Sequence, residues 1–215
     1  MPSPVLDELN MQMADVIFNG SLWDGAHPSP WRSLLGDEAA KDLWDSFEHV
    51  KPLVLTKNEI IALGKDPATV AKYDDEYWHF GDDAYVAALD FFHQVHCLDE
   101  LRKAALANYG RDGDRVNDPG ELHWIHIRHC VDMMMQHQLC HADAGLLTYN
   151  WVEYEEHPFP DMSVHKKCRD WRQLVEYRDA HAVDVEKYVR WKKPAEAHTI
   201  PQEEGYWKFH AQYGF

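Results

Sequence analysis

Apolar positions spaced three and four apart run through Tyr85, Val86, Leu89, Phe92, Val95, Leu98, Leu101 and Leu106. That period predicts an amphipathic helix over 83–109, with Asp82 or Asp83 as its cap and Gly110 as its stop. A second stripe, Trp124, Ile125, Met133, Met134 and Leu139, predicts a helix over 119–141. Its opening, Asp118-Pro119-Gly120-Glu121, places an N-cap acid, a proline at the first helical position and a first-turn glutamate, and Gly145 closes the region. The stretch from Tyr109 to Asn117 is polar, rich in turn residues and short enough to fold the two helices back as antiparallel neighbours.

Elsewhere the pattern predicts smaller pieces. Thr56-Lys57-Asn58-Glu59 is a capping box leading into Ile60, Ile61 and Leu63 with a stop at Gly64. Lys51–Leu55 and Lys72–Phe80 read as short strands or extended arms, and a helix is expected from Met162 or Ser163 through Val164, Cys168, Trp171, Leu174 and Val175 to about Val185. Val5–Phe18 carries Asp7, Glu8, Asn10, Gln12 and Asp15 among its apolar residues and reads as a soluble amphipathic helix. The tail beyond Pro194 shows no period despite Tyr206, Trp207, Phe209 and Tyr213. The expected fold class is therefore mainly α: one helical domain over 1–215, built around the antiparallel pair, with a few short extended segments.

Composition narrows the classes. A chain of 215 residues, 45% hydrophobic, can bury one good core, and no Ser/Gly/Pro-rich linker marks a second domain. The formal charge of −16 excludes a phosphate-binding surface of clustered Lys and Arg, so no nucleic-acid partner is expected. Nothing reaches the ~18 consecutive apolar residues of a membrane span, and no basic start followed by an apolar run suggests a secretory signal. Asn19-Gly20-Ser21 fits a glycosylation acceptor, a triplet common by chance.

The chemistry lies in a pattern that occurs twice, His93-Gln94-Val95-His96-Cys97 and His126-Ile127-Arg128-His129-Cys130. With 15 histidines and 4 cysteines in 215 residues, one His-x-x-His-Cys match is expected only ~0.02 times by chance. On a helix the two histidines of a copy stand about 60° apart and the cysteine about 40° to the other side of the first, so each copy aims two imidazoles and a thiol broadly the same way. Imidazole and thiolate suit late first-row transition metals, and four histidines from two helices can hold one ion or two close together. The candidate metal ligands are His93, His96, His126 and His129, with Cys97 and Cys130 ranked below them. The cysteines have another use: Cys97 with Cys130, or Cys140 with Cys168, can form a disulfide. His123 extends the second face, whereas His137 and His141 are separated from the motif, His137 lying about 16 Å up the helix from His126. Trp78, Trp124, Trp151 and Trp171 are candidates for a pocket lining or for core.

These residues resemble the UstYa-like oxidases of fungal secondary metabolism. The resemblance rests on His93 to Leu98, on His126 to Cys130, on Cys140-His141-Ala142-Asp143, and on His165-Lys166-Lys167-Cys168-Arg169-Asp170, and it covers roughly 75–175. It implies a copper-dependent oxidoreductase acting with dioxygen or peroxide on a peptide or polyketide-type natural product, by oxidative cyclisation, hydroxylation, desaturation or halogenation. Members of that family usually begin with a membrane anchor, which this chain does not show; it is expected to be either a soluble member or one whose anchor was removed ahead of Met1. The alternative from the residues alone is zinc, either in a hydrolase or hydratase using Glu100 or Asp132 as base or in a non-catalytic metal-binding module.

Overall fold

A computed structural model of the chain describes residues 3–25, 29–48, 51–107, 109, 120–170, 172–190, 192, 194–195 and 199–214. It divides into two compact units, Met1–His165 and Lys166–Phe215. The first contains α1 (Pro4–Glu8), α2 (Glu38–Glu48), β1 (Leu53–Leu55), α3 (Lys57–Ala62), α4 (Asp75–Trp78), β2 (Tyr85–Leu89), α5 (Asp90–Leu106), α6 (Glu121–His141), β3 (Leu146–Asn150) and β4 (Phe159–Asp161). The second contains α7 (Arg172–His181), α8 (Val185–Arg190) and α9 (Glu204–Tyr213). The fold is mainly α with one small antiparallel sheet of order β1-β2-β3-β4.

Helices α5 and α6 form a hairpin inserted between two paired strands. Leu89 at the end of β2 lies opposite Leu146 at the start of β3, and the Asp90 amide donates to the Gly145 carbonyl at 2.8 Å. The start of α5 therefore adjoins the end of α6. At the other end the Tyr109 ring meets Trp124 edge-on at 5.6 Å, so the pair is antiparallel, as the spacing predicts. A βααβ unit of this kind ties both motif copies to the sheet, α5 following β2 directly and α6 leading into β3 through residues 142–145.

Two apolar clusters hold this unit. Leu55, Ile60, Leu63, Val70, Tyr85, Ala87 and Leu146 join one face of the sheet to α3. Trp44, Val95, Val131 and Met135 join α2 to the hairpin, with Trp31, Phe47, Phe91 and Leu98 packed around them. Trp44 is 1% exposed, with the Arg102 guanidinium 4.7 Å above its ring, a desolvated cation–π contact.

Several expectations need correction. Tyr85–Leu89 is a strand, not the first turn and a half of α5, because pairing with Leu53–Leu55 on one side and Leu146–Leu147–Thr148 on the other buries Tyr85, Val86, Ala87 and Ala88. Asp83 caps a different helix, accepting from the Lys57 amide at the start of α3 at 2.7 Å. The N-terminal helix stops at Glu8 and does not reach Phe18; further on, Asn19 and Gln136 of α6 exchange backbone-to-amide hydrogen bonds at 2.7 and 3.2 Å that draw the chain out along that helix. Within 72–80, Lys72 bridges Tyr85 while 75–78 form a helical turn capped by Asp74 and closed by left-handed His79. The single helix expected from 162 to 185 is instead extended chain after β4, then α7 and α8. The tail forms a helix after all, α9, with Phe209–Tyr213 and Tyr206–His210 ring pairs one turn apart.

Helix α6 begins at Glu121, with Gly120 at the N-cap and φ 85°, and Ala142, not Gly145, takes the left-handed position at its end. The Asp118-Pro119 cap, most of the Tyr109–Asn117 connection, Gly110 and Trp171 lie outside the described residues. The capping box of α3 forms as expected, with Thr56 and Glu59 bonded reciprocally.

Candidate metal centre

The motif residues ride on the outer flanks of the hairpin. Beyond Asp90 in its first turn, the buried positions of α5 are Val95, Asp99, Arg102 and Leu106, and at 100° per residue His93 and Cys97 fall about 160° from Val95, on the opposite side. On α6 the buried positions are Val131, Asp132 and Met135, and His126 falls about 140° from Val131. Cys97, His126 and Cys130 are accordingly exposed, while His93, His96 and His129 are half-buried. The apolar seam and the donor faces use different sides of the same helices.

Copy by copy, the donors come in pairs. The Nε2 of His93 lies 3.4 Å from Cys97 Sγ, and its Nδ1 faces Asp90 Oδ1 at 3.5 Å. Asp90 is 5% exposed and is itself held by Gln94 at 2.6 Å. The His126 and His129 rings on α6 have centroids 6.3 Å apart. His129 Nδ1 lies 2.9 Å from the Ser21 carbonyl, which assigns its proton to Nδ1 and leaves the Nε2 lone pair free. In both copies, then, the Nδ1 of a histidine faces an oxygen, as in many metal-ligating imidazoles, while the Nε2 of His93 meets the Cys97 thiol. The donor set, imidazole nitrogen with thiol sulfur, fits copper or zinc chemically. Among the described residues, however, no three His, Cys, Asp or Glu groups stand close enough to hold one ion.

Two of these supports have no counterpart in a reading of motif spacing. Asp90 sits three residues before His93, a local signal that could have found it. Ser21 is 108 residues from His129 in sequence, and its carbonyl is placed by Arg32, whose Nη2 donates to it at 2.6 Å. Arg32 is 3% exposed and pairs with fully buried Asp132 through Nε at 2.8 Å; Ser29 and Gln136 also donate to that carboxylate, at 2.6 and 3.1 Å. Asp132 is thus committed to three donors and is not a free base, and Glu100 pairs with Lys103 at 3.0 Å. Arg128, inside the second motif, reaches Asp24 at 3.4 Å on the same N-terminal segment.

The other candidates separate. His123 lies edge-on to Trp124 at 5.1 Å. The His137 and His141 rings lie 4.0 Å apart, tilted by 37°, near the end of α6, with His141 Nδ1 2.8 Å from the His137 carbonyl. His165 packs under Gly64, with its Nδ1 3.1 Å from the Leu63 carbonyl. All four cysteines are free and exposed, so neither of the two bridges considered from sequence is formed.

Comparison with known proteins identifies the family. The family model described as mycotoxin biosynthesis protein UstYa matches residues 1–181. The chain belongs to the UstYa family. The UstYa family oxidase aprY of Aspergillus flavus is 37% identical over 205 residues, covering 93% of this chain and 61% of that protein. The UstYa family oxidase phomYe of Diaporthe leptostromiformis is 24% identical over 169 residues, covering 79% of this chain and 56% of that protein. A protein of Talaromyces islandicus named hydroxylase cctR is 30% identical over 93 residues, 43% of this chain and 32% of its own length. This chain therefore spans about three-fifths of the first two UstYa relatives. No solved structure matches it. Among the described residues no helix is long and apolar enough to cross a membrane.

Proposed function

We propose that this UstYa family chain is a copper-dependent oxidase that tailors a small natural product, with His93, His96, His126 and His129 as the ligands and Cys97 and Cys130 as auxiliary donors. The observation that carries the reading is the orientation of His93 and His129, each with Nδ1 toward an oxygen, and of His93 with its Nε2 against the Cys97 thiol. Copper on neutral imidazoles would supply one-electron chemistry toward dioxygen or peroxide. The protein's part is positioning: buried Asp90 aligns His93, and Arg32 with the Ser21 carbonyl aligns His129. The hydrolytic alternative loses support because its two candidate bases, Asp132 and Glu100, are already paired.

The test reconstitutes metal-free protein separately with copper and with zinc, supplies candidate natural products and an oxidant, and follows product mass. Loss of two hydrogens, or gain of an oxygen or a halogen, with copper alone is expected. Equal turnover with zinc, or a product heavier only by one water, would overturn the oxidase reading. His96→Ala and His129→Ala should each lose bound copper, read by mass spectrometry and electron paramagnetic resonance, while keeping helical circular dichroism, since the Val95–Val131–Met135 seam lies on other faces.

A further inference from the structure

A cavity of about 560 Å³ opens on the face of the sheet opposite the α3 cluster. Val54 and Val86, paired across β1 and β2, form its floor, and Tyr149 of β3 continues the same face. Here β2 and β3 part, and residue 71 fills the gap: Val86 N–H donates to the Ala71 carbonyl and Ala71 N–H to that of Tyr149. The inserted segment delivers Tyr73 and α4 to the rim. The Tyr73 ring stands edge-on to Trp78 at 5.3 Å and to Phe80 at 5.4 Å, while Trp78 and Phe80 lie nearly parallel at 5.8 Å and 22°.

The walls are open to solvent, with Trp78 47%, Phe80 50% and Trp151 61% exposed. Aromatic faces held this way offer stacking and edge contacts to a flat ring, and the volume lies in the range of small-ligand sites. The polar groups narrow the choice. Tyr73 donates its hydroxyl to the Leu53 carbonyl at 3.2 Å, whereas the Tyr149 hydroxyl has no hydrogen-bond partner among the described residues. Burial raises the pKa of both phenols, so Tyr149 carries a proton to donate at neutral pH. The lining carboxylate, Asp74, is spent on capping α4, accepting from the Glu76 amide at 3.0 Å, so no free carboxylate among the described lining residues marks the site for a cation; Lys72, over the Tyr85 ring at 5.5 Å, and His157 complete the polar lining.

We propose that this cavity is a binding site for a ligand with a planar aromatic ring and an acceptor oxygen, the ring lying against Trp78, Phe80 and Trp151 and the oxygen accepting from the Tyr149 hydroxyl. None of the six motif residues lines it, so the assignment stands apart from the metal reading and is tested on metal-free protein.

The experiment titrates the full chain with 2-acetylnaphthalene by ligand-observed NMR, beside 2-ethylnaphthalene, which lacks the oxygen, and 2-acetyldecalin, which lacks the flat ring. Saturable binding of the aryl ketone, clearly tighter than either control, is expected. Tyr149→Phe should weaken it roughly three- to tenfold, and Val54→Trp, which fills the cavity from an exposed strand position, should abolish it with circular dichroism unchanged. If Val54→Trp fails to fold, Trp151→Ala serves instead, with weakened binding expected. Equal affinity for the decalin, full binding by a folded Val54→Trp, or conversion of a dimer to a monomer by Val54→Trp in sedimentation would each overturn the proposal, the last by showing that a second copy covers this face.

Discussion

At the scale of single residues, the most consequential group is the one the motifs do not contain. Arg32 donates to the carbonyls of Ser21, Leu22 and Trp23 as well as to Asp132, so one guanidinium ties the N-terminal segment to α6 beside the second motif. Removing one partner of a buried pair strands the other's charge, at about 3–5 kcal/mol. Asp132→Ala should therefore lower stability by about that amount in denaturant titration, and should release the His129 ring, seen as a mixture of tautomers in nitrogen NMR. A change under about 0.5 kcal/mol would show that the pair holds nothing in place. A milder effect belongs to Lys65, whose ammonium lies 2.6 Å from Asp161 and, with the Ser163 amide, lowers that carboxyl's pKa from its ordinary 3.8. A depressed carboxyl stabilises the fold above its unfolded pKa and loses that contribution as pH falls through the folded value. Lys65→Met should thus be less stable than the parent at neutral pH, by roughly 1 kcal/mol or less for a partly exposed pair, and the gap should close below about pH 3.8. A gap that persists in acid would assign the effect to packing. The candidate ligands were legible in the sequence because both copies are contiguous and helical. Arg32 and Ser21 were not, because 97 and 108 residues separate them from His129 and only tertiary folding joins them.

At the scale of elements, the same contrast recurs. The α3 box was readable because its signal is local: Thr56 and Glu59 cap the start, and at the end Gly64 donates to Ile61 and Lys65 to Ile60, the paired bonds of a Schellman turn. Tyr85–Leu89 was not, since a short apolar run satisfies a helical and a strand period alike and partners 30–34 and 57–61 residues away, Leu53–Leu55 and Leu146–Thr148, decide between them. Gly64 also carries a distant constraint. Its φ is +75°, and a methyl group there would collide with the His165 ring. Gly64→Ala should cost about 1–3 kcal/mol from left-handed strain and the collision together. In a His165→Ala background only the strain remains, so the penalty should fall to about 1 kcal/mol; an unchanged penalty would show that the ring does not lie against this turn.

At the scale of the whole molecule, stability is concentrated unevenly. Both apolar clusters lie within Met1–His165, whereas α7 and α9 contain no buried residue and Leu174, Tyr177, Tyr188 and Val189 are 71%, 65%, 62% and 73% exposed. Hydrophobic stabilisation scales with the apolar area withdrawn from water, and helices of about ten residues are marginal by themselves. The described helices of residues 166–215 therefore have little burial of their own to stabilise them. A chain ending at His165 should unfold in a single cooperative transition within about 4 °C of the full chain, the shift that about 1 kcal/mol produces in a protein of this size. It should also keep the near-ultraviolet circular dichroism that reports Trp31 and Trp44 packed at 5.0 Å. A fall of more than about 10 °C, or loss of that signal, would mean that the C-terminal segment completes the fold of the first unit.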